Sequence, residues 1–271
     1  MKHNLQMITS GLINFIKSFL IISFIVYSIM YLVPGDIKFN PSLKWPVSFF
    51  NWFFNLIFLR MDLKEIGARY FRTFALVFGS LGLSFVIVLA LLFIKRCFGG
   101  LLTNILLIFL NITSGFHIIV IGVVYYILTH KTGLSFGVFL ILAFGNGSLA
   151  EMFNTFESEF NKILKREYVL AGVAWGHTIL HFPRRELVIT CLELLFARLP
   201  ILISSTIMIE KIFTIKGLSY TIYDCITEKS QGNFELLITS TVMISATIIL
   251  LNIIIEKMRY LLDPRVSHAS D

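Results

Sequence analysis

Charged residues are scarce in this sequence. Lysine, arginine, aspartate and glutamate make up 14% of its 271 residues, whereas 56% are hydrophobic. Soluble domains carry about 25% charged residues, and so apolar a chain could not cover a water-facing surface with polar groups. The shortage of charge excludes an ordinary soluble domain and indicates that lipid surrounds much of the chain.

Cysteine is also rare. Cys97, Cys191 and Cys225 are odd in number and widely spaced, which favours neither a disulfide framework nor a metal site. In apolar stretches such residues behave as small hydrophobic side chains. We therefore predict no metal ion and no bound cofactor.

Two sequence motifs are missing as well. No Gly-x-x-x-x-Gly-Lys-Ser/Thr phosphate loop occurs, so any use of ATP would depend on a separate ATPase subunit. No module that combines aromatic and basic residues for nucleic acid is visible, and we expect no nucleic-acid partner. The net charge of +7 is more typical of loops that face an anionic lipid leaflet.

Long apolar stretches are what the sequence has in abundance. A spanning helix needs about 20 mainly apolar residues, and six stretches reach or approach that length. They are Leu12–Val33, Thr73–Ile94, Leu101–Leu128, Leu134–Leu149, Leu187–Ile209 and Leu236–Ile255. Because they are continuous rather than alternating, they predict helices, in which every backbone polar group is paired within the segment.

We therefore predict an all-α, polytopic membrane protein with six transmembrane helices in a single domain, residues 1–271. The first stretch ends in Val33-Pro34-Gly35-Asp36 without a small-residue cleavage site, which predicts a retained helix rather than a signal peptide. Val47–Leu59 is shorter, as in interfacial segments, and its Phe-rich run suits an aromatic belt. Six spans place both termini on one side, and the distribution of Lys and Arg indicates that this side is cytoplasmic.

A polar segment, about residues 154–186, separates two of the apolar stretches. Its centre reads Arg166-Glu167-Tyr168-Val169, followed by Ala174-Trp175-Gly176. The small residues Ala171, Gly172, Ala174 and Gly176 would allow close approach of another backbone. Taken alone, the segment fits two interpretations equally well: a docking element for a partner, or an amphipathic linker at the membrane interface with snorkelling Lys and Arg.

Four short blocks in order carry a resemblance to a known family. They are Val33-Pro34-Gly35-Asp36, the Glu167–Gly176 segment, Glu210-Lys211-Ile212-Phe213 with Gly217-Leu218, and Leu262-Asp263-Pro264-Arg265. Together they make the chain similar to permease subunits of the oligopeptide/dipeptide/nickel class of binding-protein-dependent ABC importers. The chain departs from that family between Gly176 and Glu210, where it is shorter, and at Ile226–Phe234, which lacks an Asp-Tyr-Pro-like block.

The resemblance implies a type I ABC importer permease fold in a bacterial cytoplasmic membrane, and no enzymatic activity of the chain itself. It also implies a second, homologous permease subunit, two cytoplasmic ATPase subunits and an extracytoplasmic solute-binding protein. The segment around Glu167, Ala171, Gly172, Ala174 and Gly176 would be the loop that couples to an ATPase. Short peptides are the expected cargo, and nickel or a metal–chelate complex is the alternative.

Two charged residues fall within the fifth predicted span. Glu193 and Arg198 are five positions apart, so they point to different faces of a helix. No other acid lies inside a predicted span, and we expect no better partner for Arg198 in this chain. Arg198 either lines a translocation pathway, where it would meet a peptide carboxylate or a partner's acid, or has a structural role. In the structural interpretation it reaches Glu193 loosely, or the true boundary of the span lies nearer Arg198 because of Pro200.

Two further interpretations belong to other functional classes. His177 and His181 are four positions apart with Glu186 nearby, a spacing that can bind zinc on a helix, although loop histidines are the favoured interpretation. A membrane enzyme would use these three residues. An ion-coupled secondary transporter would instead need a titrating acid in the membrane, for which Glu193 is the candidate.

Overall fold

The computed structural model describes residues 2–32, 45–57, 63–98, 104–105, 107–108, 110–112, 115–130, 132–145, 148–176, 184–227 and 234–262. Within these ranges the chain is overwhelmingly helical and contains no strand, which confirms the all-α prediction for them. The helices are α1 (Lys2–Leu32), α2 (Val47–Ile57), α3 (Leu63–Phe98), α4 (Ile118–Thr129), α5 (Phe136–Phe144), α6 (Ser148–Leu164), α7 (Glu167–Ala174), α8 (Arg184–Ala197), α9 (Leu199–Ile212), α10 (Leu218–Thr227) and α11 (Phe234–Leu262).

Several of these helices are long and apolar enough to cross a membrane. Four segments qualify, and they are Gly11–Ile29, Glu65–Cys97, Glu186–Ile212 and Leu236–Met258. Helices α5 and α6 meet at a bend of 60° and give a fifth span if the pair is counted as one. The chain thus has the make-up of a multi-pass membrane protein. Its described residues contain four or five candidate spans, and the six that the sequence predicts are not confirmed.

The third predicted stretch, Leu101–Leu128, is described only in part. Its backbone leaves the helical conformation at His117 (φ −65°, ψ 140°), whose Nδ1 accepts a hydrogen bond from the N–H of Ile119 at 3.4 Å. Helix α4 then has only 12 residues, about 18 Å of rise, against a hydrocarbon core of about 30 Å. An apolar composition therefore did not produce one continuous spanning helix here.

Helix α2 lies in the predicted interfacial segment, but its aromatic side chains divide between two environments. Phe49 and Trp52 are buried and pack against Tyr27 of α1, while Phe50 and Phe54 are exposed. Trp52 donates a hydrogen bond from Nε1 to Thr239 Oγ1 at 3.4 Å. The aromatic run thus serves the protein core as well as the surface.

Contacts between the helices show which helix ends lie together at each end of the bundle. At one end, α7 follows α6, and Lys95 near the end of α3 forms an ion pair with Glu157 of α6. At the other end, α10 follows α9 and packs beside the first turns of α11. Helices α1 and α11 run antiparallel, since Gly11 lies against the side chain of Lys257. The early part of α1 and the late part of α11 therefore lie at the α7 end.

Several predictions concern residues outside this description. The Val33-Pro34-Gly35-Asp36 block, His177, His181, Pro183 and the residues from Asp263 onwards all lie outside the described residues.

Candidate functional site: the α7 surface and two polar contacts

Helix α7 occupies the centre of the predicted coupling segment. Arg166 precedes it in an extended conformation (φ −67°, ψ 142°). At its other end, the N–H of Trp175 bonds to the carbonyl of Ala171 at 3.1 Å, and the N–H of Gly176 bonds to that of Val173 at 2.9 Å. Gly176 has φ +86°, a left-handed conformation that glycine adopts without a Cβ clash and that commonly ends helices.

The predicted coupling residues divide between the two faces of α7. Gly172 is buried together with Val169, three positions earlier, and both therefore face the bundle. Glu167, Ala171, Ala174 and Gly176 are exposed. The short helix thus rests on the bundle along one side and presents the other side outward.

The outward side carries apolar residues. Leu170 is 57% exposed, Val173 is 41% exposed and Trp175 is 81% exposed. We call these three residues, together with Ala171 and Ala174, the α7 surface. Contiguous exposed apolar residues with polar groups at their rim often mark contacts with another protein or with a membrane.

Glu186 connects α7 to the start of α8. Its carboxylate forms an ion pair with Arg166 and accepts a hydrogen bond from the hydroxyl group of Tyr168. Glu186 also lies in the first turn of α8, where the helix dipole favours negative charge. Through these two contacts Glu186 anchors α7, while His177 and His181, its partners in the metal hypothesis, lie outside the described residues. No group of three or more His, Cys, Asp or Glu within the described ranges could hold a metal ion.

Arg198 has a partner that the sequence did not suggest. Its Nη1 donates to Glu151 Oε2 at 2.6 Å, and its side chain is only 13% exposed. The expectation that Arg198 had no better partner in this chain was wrong. Glu151 stands just past Leu149, where the fourth apolar stretch was predicted to end, and so it was not counted as an acid inside a span. Glu193 is half-buried on α8.

The pair of Arg198 and Glu151 connects two places where the helices of the candidate spans are interrupted. Arg198 separates α8 from α9, and Pro200 lies in the first turn of α9. Both residues lie within one candidate span, Glu186–Ile212, so Arg198 marks a break between two helices and not a boundary of the span. Glu151 lies in the first turn of α6, beside the 60° bend from α5. A charge within a span is costly unless it is paired, and this contact supplies the pairing.

A second polar contact lies at the α10 end of the bundle. Glu210 of α9 is fully buried. Its Oε1 accepts a hydrogen bond from the Thr73 hydroxyl at 2.6 Å, and its Oε2 accepts one from the N–H of Tyr220 at 2.7 Å. Thr73 Oγ1 in turn accepts a hydrogen bond from the N–H of Leu218 at 2.8 Å. Two side chains from α3 and α9 thus cap the N-terminus of α10, whose first N–H groups have no partner within the helix.

Gly217 makes that arrangement possible. A Cβ at position 217 would lie 2.3 Å from Glu210 Oε1 and 2.4 Å from Thr73 Oγ1, closer than atoms can approach. We call Thr73, Glu210, Gly217, Leu218 and Tyr220 the Glu210 junction. The sequence pointed to Glu210 and Gly217 only as part of a family-like block, because the fifth span was predicted to end at Ile209, one residue before the acid.

Lys211 strengthens the contact between α9 and α10. Its Nζ lies 2.6 Å from Asp224 Oδ1 and 4.9 Å from the ring centroids of both Tyr220 and Tyr223. Cation–π contacts of this kind contribute about 0.5–1 kcal/mol at exposed sites. The helices at this end are therefore joined by buried and half-buried polar groups.

Comparison with known proteins adds no relative. No protein-family model matches the chain, and no curated protein matches its sequence.

Proposed function

We propose that this chain is the permease subunit of a binding-protein-dependent ABC importer, of the class that carries oligopeptides, dipeptides or nickel. In this proposal α7 is the coupling helix, the element through which a separate ATPase moves the membrane helices. The observation that carries the proposal is the α7 surface: a short helix, fixed between two membrane-associated helices, with apolar side chains exposed at the end of the bundle.

The attachment of α7 suits mechanical coupling. Val169 and Gly172 face the bundle, and Glu186 ties the start of α7 to the first turn of α8. Helix α8 continues through Arg198 into α9, and the two together form one candidate span. A push on α7 would therefore be transmitted directly to a membrane helix.

Exposure of Leu170, Val173 and Trp175 also suits a docking role. Apolar and aromatic side chains provide much of the binding energy in the buried centre of protein interfaces. Charged residues stand beside them at Arg166 and Glu167, as a polar rim would require. An ATPase cleft that received the helix would cover the apolar residues and leave the charges at the edge.

The remaining parts of the assembly come from the family resemblance. A second, homologous permease would complete the pathway, two cytoplasmic ATPases would bind the paired coupling helices, and an external solute-binding protein would deliver the cargo. Short peptides are the proposed cargo. The cytoplasmic side would be the α7 end, together with the early part of α1 and the late part of α11. The pair of Arg198 and Glu151 is our candidate for a polar lining of the pathway.

The test replaces one residue of the α7 surface. We expect Leu170→Glu to abolish the vanadate-sensitive ATPase activity that co-purifies with the tagged full-length chain, because a charge would be buried without a partner in the docking cleft. The purified membrane fraction should retain the variant chain at the wild-type level, since Leu170 is exposed and lies outside the core clusters.

The matched control is Leu134→Glu. Leu134 is also exposed (55%) and precedes α5, at the α10 end of the bundle, where Gly133 donates to the carbonyl of Phe213 at 2.7 Å. The control should keep its co-purifying ATPase. Equal ATPase activity in Leu170→Glu and Leu134→Glu, or none with the wild-type chain from its native membrane, would reject the coupling assignment.

A further inference from the structure

A groove lies between the last turns of α3 and the second half of α6. Its volume is about 440 Å³. Leu89, Phe93 and Phe156 form apolar walls, and Arg96 and Asn161 stand at its polar end. Leu89 is 41% exposed and Phe93 is 67% exposed, so the groove opens to the outside of the bundle rather than into its core.

The groove has an excess of positive charge at its polar end. Lys95 forms an ion pair with Glu157, which neutralises both. Arg96 instead lies over the ring of Phe160, with 5.2 Å from Cζ to the ring centroid. No acid among the described residues forms an ion pair with Arg96. Its guanidinium lies over an aromatic ring, and its hydrogen-bond donors are left for a ligand.

The position of α3 in the membrane indicates which end of the groove lies near the lipid headgroups. The candidate span that contains α3 runs from Glu65 to Cys97, so Arg96 lies at the level where lipid headgroups are found. Phe93 and Leu89 lie about one and two turns deeper, along the hydrocarbon. A ligand that filled the groove would need a polar group at one end and an apolar chain at the other.

We propose that this groove binds an anionic phospholipid. Arg96 contacts the phosphate, because a guanidinium offers several N–H donors in a planar fork that matches phosphate oxygens. One acyl chain lies against Leu89, Phe93 and Phe156, which removes apolar surface from contact with disordered lipid. A zwitterionic headgroup would bring its own cation close to Arg96, and a free phosphate would leave the walls uncovered. The proposal needs only a chain in a membrane and does not depend on the proposed transport function.

The experiment places a fluorescent reporter in the groove. The full-length Phe93→Trp variant is reconstituted in phosphatidylcholine vesicles that contain a minor fraction of lipid brominated on the acyl chain, either phosphatidylglycerol or phosphatidylcholine. Quenching is measured relative to the same chain without the reporter. We expect brominated phosphatidylglycerol to bind about fivefold more strongly than brominated phosphatidylcholine, the factor that corresponds to about 1 kcal/mol per basic residue near an anionic headgroup.

Two further variants identify the responsible charge. Arg96→Gln, made in the reporter background, should bring the ratio of the two binding constants close to one. Lys165→Gln removes an equal charge at the same end of the bundle but outside the groove, and should leave most of the preference. Equal loss in both variants would mean that the whole surface attracts anionic lipid, and would overturn the site.

A second measurement uses the chain without the reporter. Lipid extracted from protein purified in mild detergent should be enriched in phosphatidylglycerol over the starting membrane, and Arg96→Gln should remove that enrichment. Quenching by neither lipid would mean that no acyl chain enters the groove and would refute the proposal, as would the absence of enrichment in the purified chain. Because quenching arises from acyl bromines, inorganic phosphate cannot produce a false positive.

Discussion

The Glu210 junction and the α7 surface lie at opposite ends of the same bundle and are attached in opposite ways. At the junction, the carboxyl group of Glu210 is fully buried, and hydroxyl and backbone N–H groups from two other helices surround it. At α7, the main polar anchor is Glu186, whose partner Arg166 is half exposed. Buried polar groups thus join the helices at the α10 end, whereas partly exposed polar groups attach α7.

The difference has an energetic consequence. A buried hydrogen-bonded group cannot be displaced without leaving its partners unsatisfied, at about 1–3 kcal/mol each. An exposed ion pair contributes only about 0–1 kcal/mol, so the ion pair of Arg166 and Glu186 is weaker than the contacts of the Glu210 junction. Attachment of α7 therefore depends on the burial of Val169 and Gly172 as well as on this pair.

The largest effect is expected for Glu210→Ala. Thr73 and the N–H of Tyr220 would lose their acceptor in a closed environment, and two unsatisfied groups cost about 2–6 kcal/mol of unfolding free energy in total. Thermal or denaturant unfolding of the purified chain in detergent, followed by size-exclusion chromatography, would measure it. The control Glu159→Ala removes a glutamate whose pair with Lys162 lies on the α6 surface. A similar small loss in both variants would mean that the two ends do not differ in this way.

A smaller loss is expected for Gly217→Ala. The new methyl group would overlap Glu210 Oε1 and Thr73 Oγ1, and overpacking of a tight site costs about 1–3 kcal/mol. Gly67→Ala on α3 is the matched control, because no atom lies within 4 Å of its Cβ position. The control should stabilise the helix by about 0.5–1 kcal/mol. Opposite signs for the two substitutions would support the junction, whereas a stabilising Gly217→Ala would contradict it.

The smallest effect is expected for Glu186→Gln. The substitution removes the ion pair with Arg166 but keeps an oxygen that can accept from Tyr168, so the global unfolding free energy should change by less than about 1 kcal/mol. Hydrogen exchange of residues 167–174 should nevertheless become faster, by up to about fivefold. Glu159→Gln, which breaks a pair within α6, should leave exchange in α7 unchanged. No change in α7 for either variant would show that Glu186 is not its anchor.

Sequence reasoning succeeded where one long apolar run coincided with one helix, as in Thr73–Ile94 and Leu236–Ile255, each of which lies within a candidate span. It did not anticipate α10, because Leu218–Thr227 mixes polar and apolar residues and forms a helix beside α9 and α11. It also missed Glu151 and Glu210 as acids of the membrane region. The predicted spans ended at Leu149 and Ile209, two residues and one residue before these acids, because an acidic residue lowers the local hydropathy.

The sequence by itself indicated that lipid surrounds much of the chain and that the chain is mainly helical. A chain with 14% charged residues and long apolar runs must pair its backbone in helices inside lipid. It also placed a polar segment, about residues 154–186, between two apolar stretches. Only the tertiary structure decided which polar side chains meet. Arg198 contacts Glu151, and Glu210 contacts Thr73, because helices distant in sequence pack side by side. Such contacts depend on the geometry of packing rather than on local composition.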